Sequence, residues 1–321
     1  MRRNAGVLAS VLFAVAFGHA QAQKYPQRPV SLVVPFPPGG ATDAFARIVA
    51  ERMTKVLGQQ VFVVNRDGAS GIVGIDSVAR AVPDGYTLAW ATSSGLAIVQ
   101  AFGRKVPYDS QRDFAPISLT AKLAYVLVVH PSLPVKTVKE FVTFAKTRPG
   151  QIQYAEGSSG MLIAAELFKS MAGIDLVHVP YRGAGFFVAD LVSGRVEVTF
   201  SNVVTVRPFT DSGRLRGLGV TGRARMNTYP DLPTIAEVGF PGYEFTQWYA
   251  LLAPAKTSTD IVATLNGAIR KSLEDPEVRR RLASEGGVPS PTSPIELAEF
   301  IGAETAKYEK IVKVAQLKMD Q

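Results

Sequence analysis

The sequence predicts an α/β protein of two lobes, each a mostly parallel sheet flanked by helices, the two joined by a pair of crossing strands. Three observations carry that expectation. Apolar runs of strand length alternate with amphipathic helical stretches, as in parallel sheets covered by helices. The alternation stops at a Pro-rich segment near Pro131 and Pro134 and then restarts. An isolated strand-like run, Phe245 to Ala253, precedes closing helices that return to the first lobe. A chain of 321 residues, 47% hydrophobic, is long enough for two lobes with real cores.

In chain order, the first segment is read as a secretory signal peptide and set aside. It has a basic start at Arg2 and Arg3, an apolar run from Val7 to Phe17 and a small-x-small site at Ala20–Ala22. Its apolar run is too short to span a bilayer. Cleavage after Ala22 leaves 299 residues (321 less 22) and lowers the formal charge from +8 to +6 by removing two arginines. The divisions expected are 1–22 as signal peptide, 23–123 with 248–321 as the first lobe, and 124–247 as the second.

Ser31 to Val34 reads as a buried strand that enters the turn Pro35-Phe-Pro-Pro-Gly-Gly40 and then a helix. In that helix Phe45, Ile48, Val49, Met53, Val56 and Leu57 share one face, and Gly58 marks its end. Gly39 and Gly40 put backbone N–H groups at the positive end of the helix dipole with no side chain in the way, which suits a carboxylate or phosphate. Val61 to Val64 is a second strand, followed by Asn65–Gly71 and a helix to Ala81; Tyr86 to Ala91 is a third, ending in Thr92-Ser-Ser-Gly95.

The second lobe opens with the apolar strand Tyr125 to Val129 and a helix from Val138 to Lys146. Ile152 to Ala155 leads to Gly157-Ser-Ser-Gly160 and a helix through Met171, and Asp175 to Val179 leads to Pro180–Gly185 and a helix to Val192. Strands at Val196 to Phe200 and Leu215 to Val220 end in Ser201-Asn202 and Thr221-Gly222. Crossings are expected near Lys122–Val126 and Thr246–Ala250. Helices at Thr259–Leu273 and Pro276–Ser284 follow, and a last helix starts at Ser293-Pro-Ile-Glu296, which reads as a capping box. In open sheets of this kind ligands sit beyond the carboxyl ends of the strands, where every Gly/Ser/Thr/Asn loop here lies.

Composition narrows the chemistry. No cysteine is present, which excludes disulfides, thiolate nucleophiles and Cys-ligated metal centres. Basic residues are dispersed apart from Arg279-Arg-Arg281, so an anion-collecting protein suits the charge better than a nucleic-acid binder. After processing only His130 and His178 remain, both best read as structural, and HExxH, GxSxG and SxxK are all missing. Asp43 and Asp67 suit capping or turn-ordering better than acid–base catalysis. The run Gly68-x-x-Gly71-x-x-Gly74 lacks dinucleotide-fingerprint spacing. Neither a catalytic centre nor a metal or cofactor site is expected. What remains is a set of loops facing one cleft, able to hold a small anion through N–H and hydroxyl groups.

The segments Pro35-Phe-Pro-Pro-Gly-Gly-Ala-Thr-Asp43, Val64-Asn-Arg-Asp-Gly-Ala-Ser-Gly71, Pro83-Asp-Gly-Tyr86, Val177-His-Val-Pro-Tyr-Arg-Gly183, Leu232-Pro-Thr-Ile-Ala-Glu237 and Leu252-Ala-Pro254 resemble the Bug family, the extracytoplasmic solute receptors of tripartite tricarboxylate transporters. The resemblance runs in order along the whole processed chain. It implies a type II-like periplasmic binding protein, a monomer that closes over a small organic carboxylate and delivers it to the transporter's membrane subunits. It also implies ligand contacts from Phe36, Gly39, Gly40, Ala41, Thr42, Asp43, Ala69, Ser70, Ser93 and Ser94. From the second lobe it adds Ser158, Ser159, Tyr181, Gly183 and Asn202.

Three departures from the family pattern bear on the ligand. The loop Glu156–Gly160 is short, and Leu162 stands about where family members carry a His. Phe186 and Phe187 replace small residues and a proline. Ser201 stands where many members have Asp. Loss of the acid and gain of aromatics favour a mono- or aromatic carboxylate over an amino acid, unless Phe186 and Phe187 face the core of their own lobe. Two other roles are weighed against transport: a ligand-sensing partner of a membrane signalling protein using the same cleft, and a secreted hydrolase, which the missing bases disfavour.

Overall fold

A computed structural model describes residues 25–317. The expected signal peptide, residues 1–22, lies outside the described residues. Among those described, no helix is long and apolar enough to cross a membrane.

The first lobe begins with β1 (Val30–Val34), α1 (Ala41–Leu57), β2 (Val61–Asn65), α2 (Ile72–Ala79) and β3 (Thr87–Thr92). A π-helical turn (Ser94–Ile98) runs into the short α3 (Val99–Ala101), and β4 (Phe114–Ala124) completes this passage. The second lobe holds β5 (Val126–Val129), α4 (Val138–Lys146), β6 (Gln153–Glu156), α5 (Ser159–Ala172), β7 (Val177–Pro180), α6 (Ala184–Ser193), β8 (Val198–Ser201), α7 (Val203–Asp211) and β9 (Arg216–Val220). The chain then returns through β10 (Thr246–Pro254), α8 (Thr259–Glu274), α9 (Pro276–Ser284), β11 (Gly287–Pro289) and α10 (Pro294–Val314).

The strands form two sheets, ordered β11-β4-β10-β3-β1-β2 and β7-β6-β8-β5-β9. In the first, β1, β2, β3 and β4 share a direction, while β10 runs antiparallel to both neighbours and β11 antiparallel to β4. In the second, only β5 is reversed. Both sheets are thus mostly parallel, and β10 and β5, the first strand after each crossing, run against them. A strand entering from the other lobe starts at the end where its neighbours finish. One edge of each sheet therefore gathers the carboxyl ends of the parallel strands and the crossings, and those two edges face each other.

Sheet membership changes between Ala124 and Val126 and again ahead of Thr246. Thr221 ties the crossings together. Its hydroxyl accepts from Tyr125 N–H at 2.7 Å and donates to Phe245 O at 2.8 Å, and the Tyr125 and Phe245 rings lie 5.0 Å apart. Chain crossings of this kind are where hinge motion between two lobes is absorbed.

Besides the short helical passage after β3, the elements β4, α7 and β11 escape the sequence reading. β4 contains Pro116, which argues against an interior strand. Pro116 is nonetheless tolerated, because it pairs with Leu252 at a register irregularity and lies outside the stretch of β4 that β11 covers. α7 is rich in β-branched residues and carries Pro208, so its helix is set by packing and by its Asn202 cap.

Candidate functional site: an interlobe cavity at four helix N-termini

A cavity lies between the facing edges, with about 60 Å³ reachable by the centre of a water molecule. Its wall is formed by Phe36–Pro38 and Gly40–Thr42 after β1, Ser94 after β3, and Tyr125 at the first crossing. Gly157, Ser158 and Met161 contribute from the loop after β6, Gly183–Phe186 from the loop after β7, and Asn202 from the end of β8. Gln247 and Tyr249 on β10 complete it. Among the described residues, no charged side chain belongs to this wall.

The N-cap residues of α1, α5, α6 and α7 are Gly40, Ser158, Gly183 and Asn202, and all of them line the cavity. Two of these helix starts are already satisfied: Ser158 Oγ accepts from Met161 N–H, and Asn202 Oδ1 accepts from Thr205 N–H at 3.0 Å. The other two, capped by glycine, have no side-chain cap. The N–H groups of Ala41 and Thr42 at the start of α1, and of Ala184 and Gly185 at the start of α6, are therefore left for something in the cavity, while Phe186 N–H is taken by Gly183 O at 3.1 Å. One belongs to each lobe, so the positive ends of two helix dipoles meet across the space. Asn202, with Oδ1 engaged by Thr205, keeps its amide N–H groups for the cavity.

The loop that presents α1 is held by Asp43. Its Oδ2 accepts from Gly39 N–H at 3.2 Å and Arg47 Nε at 2.9 Å, and its Oδ1 accepts from Asn65 Nδ2 at 2.9 Å. Asn65 also donates to Phe36 O at 3.0 Å, tying the loop to the end of β2. Burial alone would raise the Asp43 pKa, but hydrogen bonds from Arg47, Asn65 and Gly39 outweigh it and hold the carboxyl below its ordinary value. Gly39 takes φ of +90°, which places its N–H on that carboxylate.

The lobes touch across the cavity. Gly160 N–H donates to Ser94 Oγ at 3.1 Å, and Ser159 Oγ donates to Ser94 O at 3.4 Å. Burial pushes the Tyr249 phenol pKa well up, so it stays a neutral hydroxyl.

Of the residues expected at the site, Phe36, Gly40, Ala41, Thr42, Ser94, Ser158, Gly183 and Asn202 form the wall. The others do not, each for a visible reason. The Gly39 N–H and the Asp43 carboxylate are spent on each other. Ala69 and Ser70 belong to a left-handed loop (φ 49° and 56°) that ends in Gly71, packed beneath the Phe36 ring. Ser93 is buried and donates to Gln247 Oε1. Ser159 is spent on Ser94. The Tyr181 hydroxyl donates to Asp190 Oδ2 at 2.8 Å. The two phenylalanines divide: Phe186 is on the wall and half exposed, while Phe187 is fully buried against the Tyr181 ring.

Tyr125, Gln247 and Tyr249 were not expected at the site. Their signal was present in the crossings, since a strand that starts at the cleft edge presents its first side chains there. The expected Lys122–Val126 and Thr246–Ala250 segments contain all three.

Comparison with known proteins bears on the family and the fold. Residues 45–317 match the family model described as "Tripartite tricarboxylate transporter family receptor". Protein BugT of Bordetella pertussis is 34% identical over 301 residues, covering 93% of this chain and 92% of its own. Among solved structures, R. palustris Rpa4515 with adipate is 35% identical with a TM-score of 0.87, covering 92% of this chain and 99% of its own. MatC from Rhodopseudomonas palustris with bound malate is 31% identical with a TM-score of 0.84, covering 90% of this chain and 100% of its own.

Proposed function

This chain belongs to the tripartite tricarboxylate transporter receptor family, and from that premise we propose that it is a periplasmic solute receptor. It binds one small organic dicarboxylate in the interlobe cavity, as a monomer, and delivers it to the membrane subunits of a tripartite tricarboxylate transporter. The observation that carries the reading is the pair of glycine-capped helix starts, α1 and α6, opposed across one enclosed space. Each supplies main-chain donors and a favourable dipole to a carboxylate, without the desolvation cost of a buried cation.

Two such ends, one per lobe, suit a ligand with an anionic group at each end better than the mono- or aromatic acid expected from sequence. The same arrangement supplies closure. A dicarboxylate bridging α1 and α6 interacts fully only when the lobes are together, so binding shifts the hinge toward the closed form. The adipate and malate carried by two relatives are acids of this class. The absence of an acidic group on the wall disfavours ligands bearing an ammonium.

A thermal-shift screen of organic acids, followed by titration calorimetry, tests the proposal. The expected result is stabilisation by a subset of small dicarboxylates with one-to-one stoichiometry. Stabilisation by none of them, or catalytic turnover of a bound acid, would overturn it.

A further inference from the structure

Gln247 occupies the floor of the cavity, on β10 just after the second crossing, and is almost completely buried at 3% exposure. Its side-chain oxygen is doubly engaged. Ser93 Oγ donates to Oε1 at 2.7 Å, and the Tyr125 hydroxyl donates to it at 3.3 Å. The Gln247 oxygen therefore gathers two hydroxyls, Ser93 from the end of β3 and Tyr125 from the first crossing.

The helix start of α5 packs closely here: a Cβ on Gly160 would fall 2.6 Å from Gln247 Oε1. With both acceptor sites of that oxygen used by hydroxyls, the group left for the cavity is the amide nitrogen, which carries two donors and no acceptor. Gln247 lines the same cavity as the two glycine caps, Gly40 and Gly183, so that nitrogen faces the space in which the acid's carboxylates are held.

We propose that Gln247 is the specificity-determining residue of the site, donating through its amide nitrogen to an acceptor on the ligand and so rejecting ligands with an ammonium group there. The inference rests on the receptor reading above. A site built to donate discriminates strongly, because a second donor placed against it leaves both groups buried and unpaired. The Ser93 and Tyr125 bonds give the amide its direction, so the selectivity is fixed before the ligand arrives.

The test is Gln247→Glu, which keeps the acceptor for Ser93 and Tyr125 and replaces the donor with a negatively charged oxygen. Affinities are measured by calorimetry at pH 8 for matched pairs: succinate and aspartate, glutarate and glutamate, adipate and 2-aminoadipate. The expected result is that the affinity ratio within a pair moves toward the amino acid by about a hundredfold, since the two acids share their carboxylates and differ in the ammonium, which the amide nitrogen opposes and a carboxylate attracts. A ratio unchanged within twofold overturns the inference.

Should this variant fail to fold, Gln247→Met removes the donor without adding charge. It is expected to weaken the unsubstituted diacids about tenfold with no gain for their amino analogues; unchanged affinities would again count against the role. A control separates this inference from its premise. Gly40→Asp, at the start of α1, should abolish binding of all six acids if the cavity is the binding site. If it does so while Gln247→Glu leaves the ratio unchanged, only the role of Gln247 fails. If Gly40→Asp leaves binding intact, or the parent binds none of the acids, the receptor reading fails and Gln247 with it.

Discussion

Replacing Gly40 by aspartate should raise stability and destroy binding at once, a combination that a merely structural glycine could not produce. Gly40 has φ of −91° and ψ of 172°, extended backbone that any residue adopts, and a Cβ added there meets nothing within 4 Å. Neighbouring Gly39, with φ of +90°, would be strained by any side chain and so could not separate fold from function. Aspartate is a favoured N-cap and would supply the side-chain cap that α1 lacks. The gain over glycine is a few tenths of a kcal/mol from the hydrogen bond and about 0.3–1 kcal/mol from the charge at the dipole. The melting temperature should therefore rise by about 2 °C or less.

Binding should move the opposite way, and much further. A carboxylate at the cap stands about 4 Å from one held by the same first turn, and at an effective dielectric of about 20 the repulsion is about 4 kcal/mol. That corresponds to roughly a thousandfold loss of affinity. Calorimetric titration of the best-bound dicarboxylate, beside a thermal melt, measures both quantities. A variant that binds within threefold of the parent would show that the N-terminus of α1 does not hold the ligand. A melting temperature lowered by several degrees would refute the capping argument.

The remaining expectations concern the scaffold and the rim. Asp43 is a carboxylate whose folded pKa lies below the ordinary 3.8, so its contribution to stability is complete above that value and is lost as the pH falls through the folded value. Asp43→Asn should cost about 1–3 kcal/mol in urea unfolding at neutral pH, and the gap should narrow as the pH falls below 3.8; a gap independent of pH would contradict the assignment. Phe187→Ala should cost about 3–5 kcal/mol, because the ring is fully buried against Tyr181. Phe186→Ala should leave stability within about 1 kcal/mol yet change the affinity for the ligand, since that ring is half exposed on the cavity wall. Equal effects of the two substitutions on unfolding would refute the division between them.

What could be read in advance was local chemistry. Gly40, Ser158 and Gly183 each announce a helix start, and strand alternation places those starts at one edge; Asn202 is legible only as a strand end, because the helix it caps is poor in helix-forming residues. What could not be read is how donors are spent. Nothing around Gly39 or Asp43 in sequence says that they satisfy each other rather than a ligand, because Arg47 and Asn65 complete that network from a helix turn and a strand away. The same holds for Ser93, whose partner Gln247 is 154 residues distant. β4 was hidden by Pro116, a residue tolerated only because of a register irregularity against β10 that no local pattern encodes.

A crystal structure with the tightest-binding dicarboxylate tests the central claim most directly. It should show one carboxylate within hydrogen-bond distance of the N–H groups of Ala41 and Thr42 and the other within reach of those of Ala184 and Gly185, with both lobes engaged by one molecule. A ligand seated on one lobe alone, or bound outside the cavity with both helix starts facing water, would contradict it.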